Sequence, residues 1–165
     1  MKTNKIIKIE NVFTNKERKK LLKDCYPLLI DGKELGIFYN KDVYPGKQTH
    51  PTLHLHPGFS WAHDHILRLV EEKIGLNFEI QKSWILCIKG KIEDTHWHTH
   101  TSDYSCVYYM RTTPPFGNGT FFKHGFVEAP ENSIICFPSD LKHTAPASPF
   151  RFERYTLAIN LNIIR

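Results

Sequence analysis

Three histidines in "EDTHWHTHTSDYS" stand at every second position: His96, His98 and His100. In a strand, positions i, i+2 and i+4 point to one side. Three imidazoles on one face make a poor core and a good place for a metal. The segment reads as a strand presenting a His-x-His pair, either His96/His98 or His98/His100. A further histidine, His143, lies in "FPSDLKHTAP", 45 residues after His98. Two neighbouring ligands and one distant one give three corners of a metal site with positions left for substrate, as redox metals require.

The last β-rich run adds a second group. In "RYTLAINLN", Tyr155, Leu157, Ile159 and Leu161 share one face, and Arg154, Thr156, Ala158, Asn160 and Asn162 share the other. The first face suits a core. The second is small and polar and begins with an arginine, which is costly inside a β-barrel unless it meets an anion. A guanidinium fork suits a carboxylate held by two parallel hydrogen bonds. Together the groups point to a cofactor that chelates a metal at one end and carries a carboxylate at the other.

The elements that must position these residues fall into two halves. Residues 6–13, "IIKIENVF", read as a first strand. Thr14 can cap the helix of "NKERKKLLKDCYPLL", with Glu17 completing a capping box; Leu21, Leu22, Cys25 and Leu29 have helical spacing, and Pro27 ends the run. The segment "DGKELGIFYNKDVYPGKQTHP" is loop-like with some strand character. A second helix lies in "GFSWAHDHILRLVEEKIGL", capped by Ser60, with Trp61, Ile66, Leu69, Val70 and Ile74 as its apolar stripe. After Leu76 come short β-rich runs: "NFEIQKSWILCIKG", "THWHTH", "SCVYYMRT", "GTFFKH", "SIICFPS" and "RYTLAINLNII". Turn signals such as "PPFGNG" and "APENS" separate them, and no helical period follows residue 80. Short strands at this spacing imply a sandwich or barrel, with a jelly roll foremost.

At 165 residues, 41% hydrophobic and 24% charged, the chain suits one domain, 1–165. Residues 1–78 are expected to form a helical N-terminal support, and 79–165 the jelly-roll core. Aromatics at 13%, with 11 Phe, favour β structure. No apolar run approaches the roughly 20 residues of a membrane span. The N-terminus has lysines but no long apolar stretch, so the cytoplasm is the expected compartment. Cys25, Cys87, Cys106 and Cys136 form no CxxC pair and read as buried apolar residues. Much of the +5 net charge sits in "NKERKKLLK", read as the wet face of a helix. No basic stripe carries interleaved aromatics, so a nucleic-acid partner is not expected. His50, His54, His56, His63 and His65 read as surface or structural; His124 is a candidate for a pocket edge.

The order of the pieces resembles one family, the iron- and 2-oxoglutarate-dependent oxygenases, near the prolyl-4-hydroxylase-like branch. Over residues 83–162, "SW…KG…HWHTH", "SCVYYM", "FPSDLKH" and "RYTLAIN" follow in family order, and "LHLHPGFSWAHDHI" is similar to the lead-in of members with a His-x-His motif. The resemblance implies a mainly β (α+β) fold, a double-stranded β-helix (jelly roll) with two N-terminal helices packed on one sheet. It implies His98 and His143 as ligands of Fe(II), Arg154 on the C5 carboxylate of 2-oxoglutarate, and Tyr109 on that same carboxylate. The chain departs from the commonest His-x-Asp/Glu…His motif by having His100 in the middle position. His100 is the expected third ligand and Asp103 the alternative; His96 then supports a ligand from behind or lines the pocket. The implied partners are 2-oxoglutarate, O2 and a substrate whose unactivated C–H bond is hydroxylated: a prolyl or other residue, a free amino acid or a small metabolite. Two rivals are a cupin-like three-histidine metal protein without 2-oxoglutarate and a non-catalytic jelly-roll binding module.

Overall fold

The computed structural model describes the chain except residues 1–4, 33, 36–45, 92–95, 113–117 and 147. The first helix, α1 (Asn15–Cys25), starts as its sequence dictates. The Thr14 hydroxyl accepts from the Glu17 amide at 3.3 Å, and the Glu17 carboxylate accepts from the Thr14 amide at 2.8 Å. Such a cap stabilises a helix by about 1 kcal/mol. The second helix, α2 (Ser60–Ile74), differs from expectation at its start. Ser60 is its first residue, not its cap, because a 3-10 turn over Pro57–Phe59 leads straight into it. His56 caps that turn, its Nδ1 accepting from the Gly58 amide at 3.1 Å. Gly75, in the left-handed region at φ 78°, ends α2.

Ten strands occur among the described residues: β1 (Ile7–Glu10), β2 (Ile30–Asp31), β3 (Gly46–Gln48), β4 (Phe78–Lys91), β5 (Tyr104–Arg111), β6 (Gly119–Phe122), β7 (Gly125–Glu128), β8 (Ser133–Pro138), β9 (His143–Thr144) and β10 (Ser148–Ile163). They form an antiparallel seven-stranded sheet, ordered β1-β8-β5-β10-β4-β3-β2, and a three-stranded sheet, β7-β6-β9. The result is a mainly β jelly-roll fold with two helices. The large sheet takes strands from both sides of residue 78.

Two further details depart from the sequence reading. The first strand stops at Glu10, because Asn11 turns the chain at φ 57° and drops Val12 and Phe13 into the core. The Asn132 carboxamide holds that turn, accepting from the Phe13 amide and donating to the Phe13 carbonyl. The run Gly125–Glu128, not expected as a strand, pairs with β6 as β7. The expected strand character of "DGKELGIFYNKDVYPGKQTHP" is present at its ends, in β2 and β3, while residues 33 and 36–45 of it, the acidic start of the histidine motif and most of the "PPFGNG" turn lie outside the described residues.

The two faces of the large sheet do different work. One packs α1 and α2: Leu21, Cys25, Ala62, Ile66 and Val70 meet Ile85, Cys87, Tyr108, Leu157 and Ile159. Each large apolar side chain buried there contributes roughly 1.5–3 kcal/mol. The other face meets the small sheet through Tyr109, Phe122, Ile135 and Phe137. The expected alternation of β10 holds. Tyr155, Leu157, Ile159 and Leu161 are in the helix-side core, while Arg154, Thr156 and Ala158 line a cavity between the sheets. All four cysteines are free and buried, as expected, and Cys106 and Cys136 face each other across β5 and β8. No described helix is long and apolar enough to cross a membrane.

His63, on α2, is 2% exposed; its Nδ1–H donates to the Phe59 carbonyl at 2.9 Å and its Nε2 is buried without a hydrogen-bond partner. Burial holds its pKa below the usual histidine value. Below a pH of about 6.5 the unfolded chain therefore takes a proton that the folded chain refuses. The stability present above that pH is lost as pH falls toward the lower folded value. The expected result is a lower melting temperature at pH 5.5 than at pH 7.5, with a smaller drop in His63→Gln. An equal drop in the variant moves the effect to other groups.

Candidate metal centre and cavity

The histidine segment is not a strand. His98 makes one isolated bridge to His143, with reciprocal amide-to-carbonyl bonds of 3.0 Å, and the His100 amide donates to the Ser139 carbonyl at 2.9 Å. The chain is extended but anchored at only these points, which is enough to aim His98 and His100 the same way. Just beyond, the hydroxyls of Ser102 and Ser105 both bond that of Ser139, at 2.8 and 2.7 Å, and all three serines are buried. This cluster ties the histidine segment to the end of β8. Nothing in the local sequence marks these serines, because Ser139 is distant in the chain from its partners.

His143 arrives on β9, paired to Phe122 of β6. The result is a compact trio: one ring nitrogen from each of His98, His100 and His143 lies within 4.8 Å of the other two, so the three could hold a metal ion. Ring centroids are 4.4 Å apart for His98/His143, 5.0 Å for His98/His100 and 5.1 Å for His100/His143. His96 stands outside, exposed, and serves through its backbone, where its carbonyl accepts from His98 Nδ1 at 3.0 Å. The Leu141 carbonyl does the same for His143 Nδ1 at 2.8 Å. A carbonyl can only accept, so both rings carry their proton on Nδ1 and keep a bare Nε2 lone pair. Outer-sphere carbonyls commonly orient metal-binding histidines this way. Asp103 points elsewhere, its Oδ2 accepting from the Ile163 amide at 3.0 Å.

The electrostatics agree with a ligand set. Burial, reinforced by neighbouring imidazoles, pushes His100 down to about 3. Burial pushes His143 down to about 4 against the bond to Leu141. Burial also lowers His98. All three are neutral at pH 7, the state in which imidazole binds a metal.

Arg154 and Tyr109 line the same cavity, of about 90 Å³, with Trp84, Leu86 and Thr156. Arg154 is 2% exposed and donates to the Pro146 carbonyl at 3.0 Å. Tyr109 is 1% exposed, and its hydroxyl shares a 2.5 Å hydrogen bond with Thr120. Burial pushes its phenol up to about 12, so it stays protonated. Both side chains are buried at this end of the cavity. At the other end His98 and His100 are only part-buried, beside exposed Trp97. Sequence reasoning gave no role to Trp84 or Thr120. His124 sits in the exposed β6–β7 turn, away from the cavity lining.

No protein-family model matches this chain, and no curated protein matches it in sequence. Solved structures do match. A 2OG-Fe(II) oxygenase family oxidoreductase from Burkholderia pseudomallei has a TM-score of 0.71 at 11% identity, over 95% of this chain and 84% of the other. The chain has the fold of the iron- and 2-oxoglutarate-dependent oxygenases. Similar too is HygX from Streptomyces hygroscopicus with nickel and 2-oxoglutarate bound, at TM-score 0.68, 13% identity, 97% of this chain and 83% of that one. A prolyl hydroxylase from Trichoplax adhaerens, in complex with a hypoxia inducible factor peptide, has TM-score 0.71 at 14% identity over 97% and 84% of the two chains. At these identities the likeness to the oxygenases is one of fold, so the chemistry must be argued from the cavity.

Proposed function

We propose that this protein is an Fe(II)- and 2-oxoglutarate-dependent dioxygenase that hydroxylates an unactivated C–H bond of an amino-acid residue or a small metabolite. One observation carries the reading: three neutral imidazoles converge at one end of a cavity whose other end holds a buried arginine and a protonated tyrosine. His98, His100 and His143 would hold the iron, since imidazole nitrogen suits that metal and two of the rings are already oriented by backbone carbonyls. Arg154 would bind the distal carboxylate of 2-oxoglutarate, with Tyr109 donating beside it. When bound, iron and 2-oxoglutarate would activate O2, one oxygen atom ending in succinate as the 2-oxo acid loses carbon dioxide and the other in the hydroxyl group of the substrate.

The chain's own residues orient and shield. Thr120 holds the Tyr109 hydroxyl in the cavity wall, and Trp84, Leu86 and Val107 give the cavity apolar walls that exclude water. The part-buried side of His98 and His100 leaves the metal end for the C–H donor to approach. We propose that residues 1–165 act as one domain in this.

The test is anaerobic titration of the Fe(II) protein with 2-oxoglutarate. A saturable visible charge-transfer band is expected, with one equivalent of each bound. Iron binding without that band would favour a cupin-like protein, and weak iron binding a non-catalytic module. Either result overturns the proposal.

A further inference from the structure

Cys106 on β5 and Cys136 on β8 are direct partners across two antiparallel strands. Residues so placed have Cα atoms about 4.5 or 5.5 Å apart, and both values fall in the window of about 4.4–6.8 Å that a disulfide spans. Both side chains belong to the helix-side core, and their sulfurs are 2.8 Å apart. A disulfide bond is about 2.05 Å long, so each sulfur has roughly 0.4 Å to travel. Both residues are buried, and burial pushes the Cys106 thiol up, so the closed fold protects the pair. That protection is thin on one side. Cys136 also pairs with Ile7 of β1, the four-residue strand at the end of the sheet. Ile7 lines a surface groove between β1 and α2. Short terminal strands open locally at small cost, and opening β1 brings solvent to Cys136. The pair also sits under the support of the histidine segment. Ser105, beside Cys106, bonds the Ser139 hydroxyl at 2.7 Å, and the Ser139 carbonyl accepts from the His100 amide.

We propose that Cys106 and Cys136 form a peroxide-sensitive dithiol that closes into a disulfide and staples β5 to β8 beneath the histidine segment. The oxidant is a hydroperoxide. One thiolate sulfur attacks a peroxide oxygen, the O–O bond breaks, and a sulfenic acid and water are formed. The second sulfur then displaces the hydroxyl, making the S–S bond and releasing a second water. The two thiols give up two electrons and two protons, and hydrogen peroxide takes both. The inference stands whether or not the cavity is an oxygenase site.

The test uses the full chain, kept free of iron with a chelator so that no iron–peroxide chemistry intervenes. The reduced protein is treated with hydrogen peroxide, its remaining thiols are alkylated in denaturant, and the digest is mapped by mass spectrometry. Free thiols are expected to fall from the four of the reduced chain to two, with Cys106 and Cys136 in one linked peptide and the mass lower by two hydrogens. The oxidised protein is expected to melt roughly 5–10 °C higher than the reduced one, and dithiothreitol is expected to reverse the rise. Cys106→Ala, treated in the same way, is expected to show neither the link nor the rise. The mapping of wild type decides the pairing even if that variant fails to fold. Four thiols surviving the treatment, or a link between Cys25 and Cys87 with Cys106 and Cys136 left free, overturns the proposal. A linked protein that melts no higher than the reduced one overturns the staple.

Discussion

His98→Ala and His143→Ala are each expected to abolish iron binding at micromolar metal while leaving the fold intact. Each removes one of three nitrogens that lie within 4.8 Å of one another, and the described residues offer no other cluster of three such groups. Disturbing only the outer-sphere partners of a metal site typically costs about 10–100-fold in affinity, and deleting a ligand costs more. The fold survives because the two residues hold each other through their backbones, by amide-to-carbonyl bonds of 3.0 Å that alanine retains. His54→Ala is the control. His54 reaches Ser83, which alternates along β4 with the cavity-lining Trp84 and so points to the other face of the sheet. Metal content after dialysis, with circular dichroism and melting temperature of the metal-free proteins, checks the result. If His54→Ala loses iron and His98→Ala keeps it, the centre lies elsewhere.

Why this histidine trio could be picked out in the sequence, while its local structure could not, has a physical basis. Spacing of two residues puts side chains on one side of any extended chain, whether or not it joins a ladder. The His96–His100 run satisfies the first condition and not the second. Its anchors are Ser139 and His143, some 40 residues away, and no short-range pattern announces them. The β10 alternation was legible because every one of its positions from Arg154 to Leu161 is chosen for its face. The α1 capping box was legible because Thr14 and Glu17 meet through local hydrogen bonds alone. Ser60 misled for a related reason: a serine before an apolar stripe looks like a cap, but the preceding Pro57–Phe59 turn already carries the helix entry. Thr120, the partner of Tyr109, is one more residue whose role appears only when β5 and β6 are brought onto facing sheets.

Arg154→Lys is expected to weaken 2-oxoglutarate binding by roughly ten- to a hundredfold and to leave iron binding nearly unchanged. The lysine keeps the positive charge but loses the planar fork that meets a carboxylate with two parallel bonds. Losing one charge-assisted hydrogen bond costs about 1.5–3 kcal/mol, and 1.4 kcal/mol is tenfold in affinity. The wild-type side chain is 2% exposed and is steadied by the Pro146 carbonyl at 3.0 Å, so its orientation is set before any ligand arrives. Lysine's three donors sit on one nitrogen, so it cannot meet the two carboxylate oxygens with the parallel bonds of a guanidinium. Iron is spared because Arg154 is outside the histidine trio. Tyr109→Phe acts in the same direction more mildly. It removes one neutral donor, worth about 0.5–1.5 kcal/mol, from a phenol that burial keeps protonated. Metal content and 2-oxoglutarate affinity, measured for wild type and both variants, separate the alternatives. A cupin-like metal protein has no use for a carboxylate partner, so equal 2-oxoglutarate affinity in wild type and Arg154→Lys would leave the buried arginine a purely structural residue and end the oxygenase mechanism.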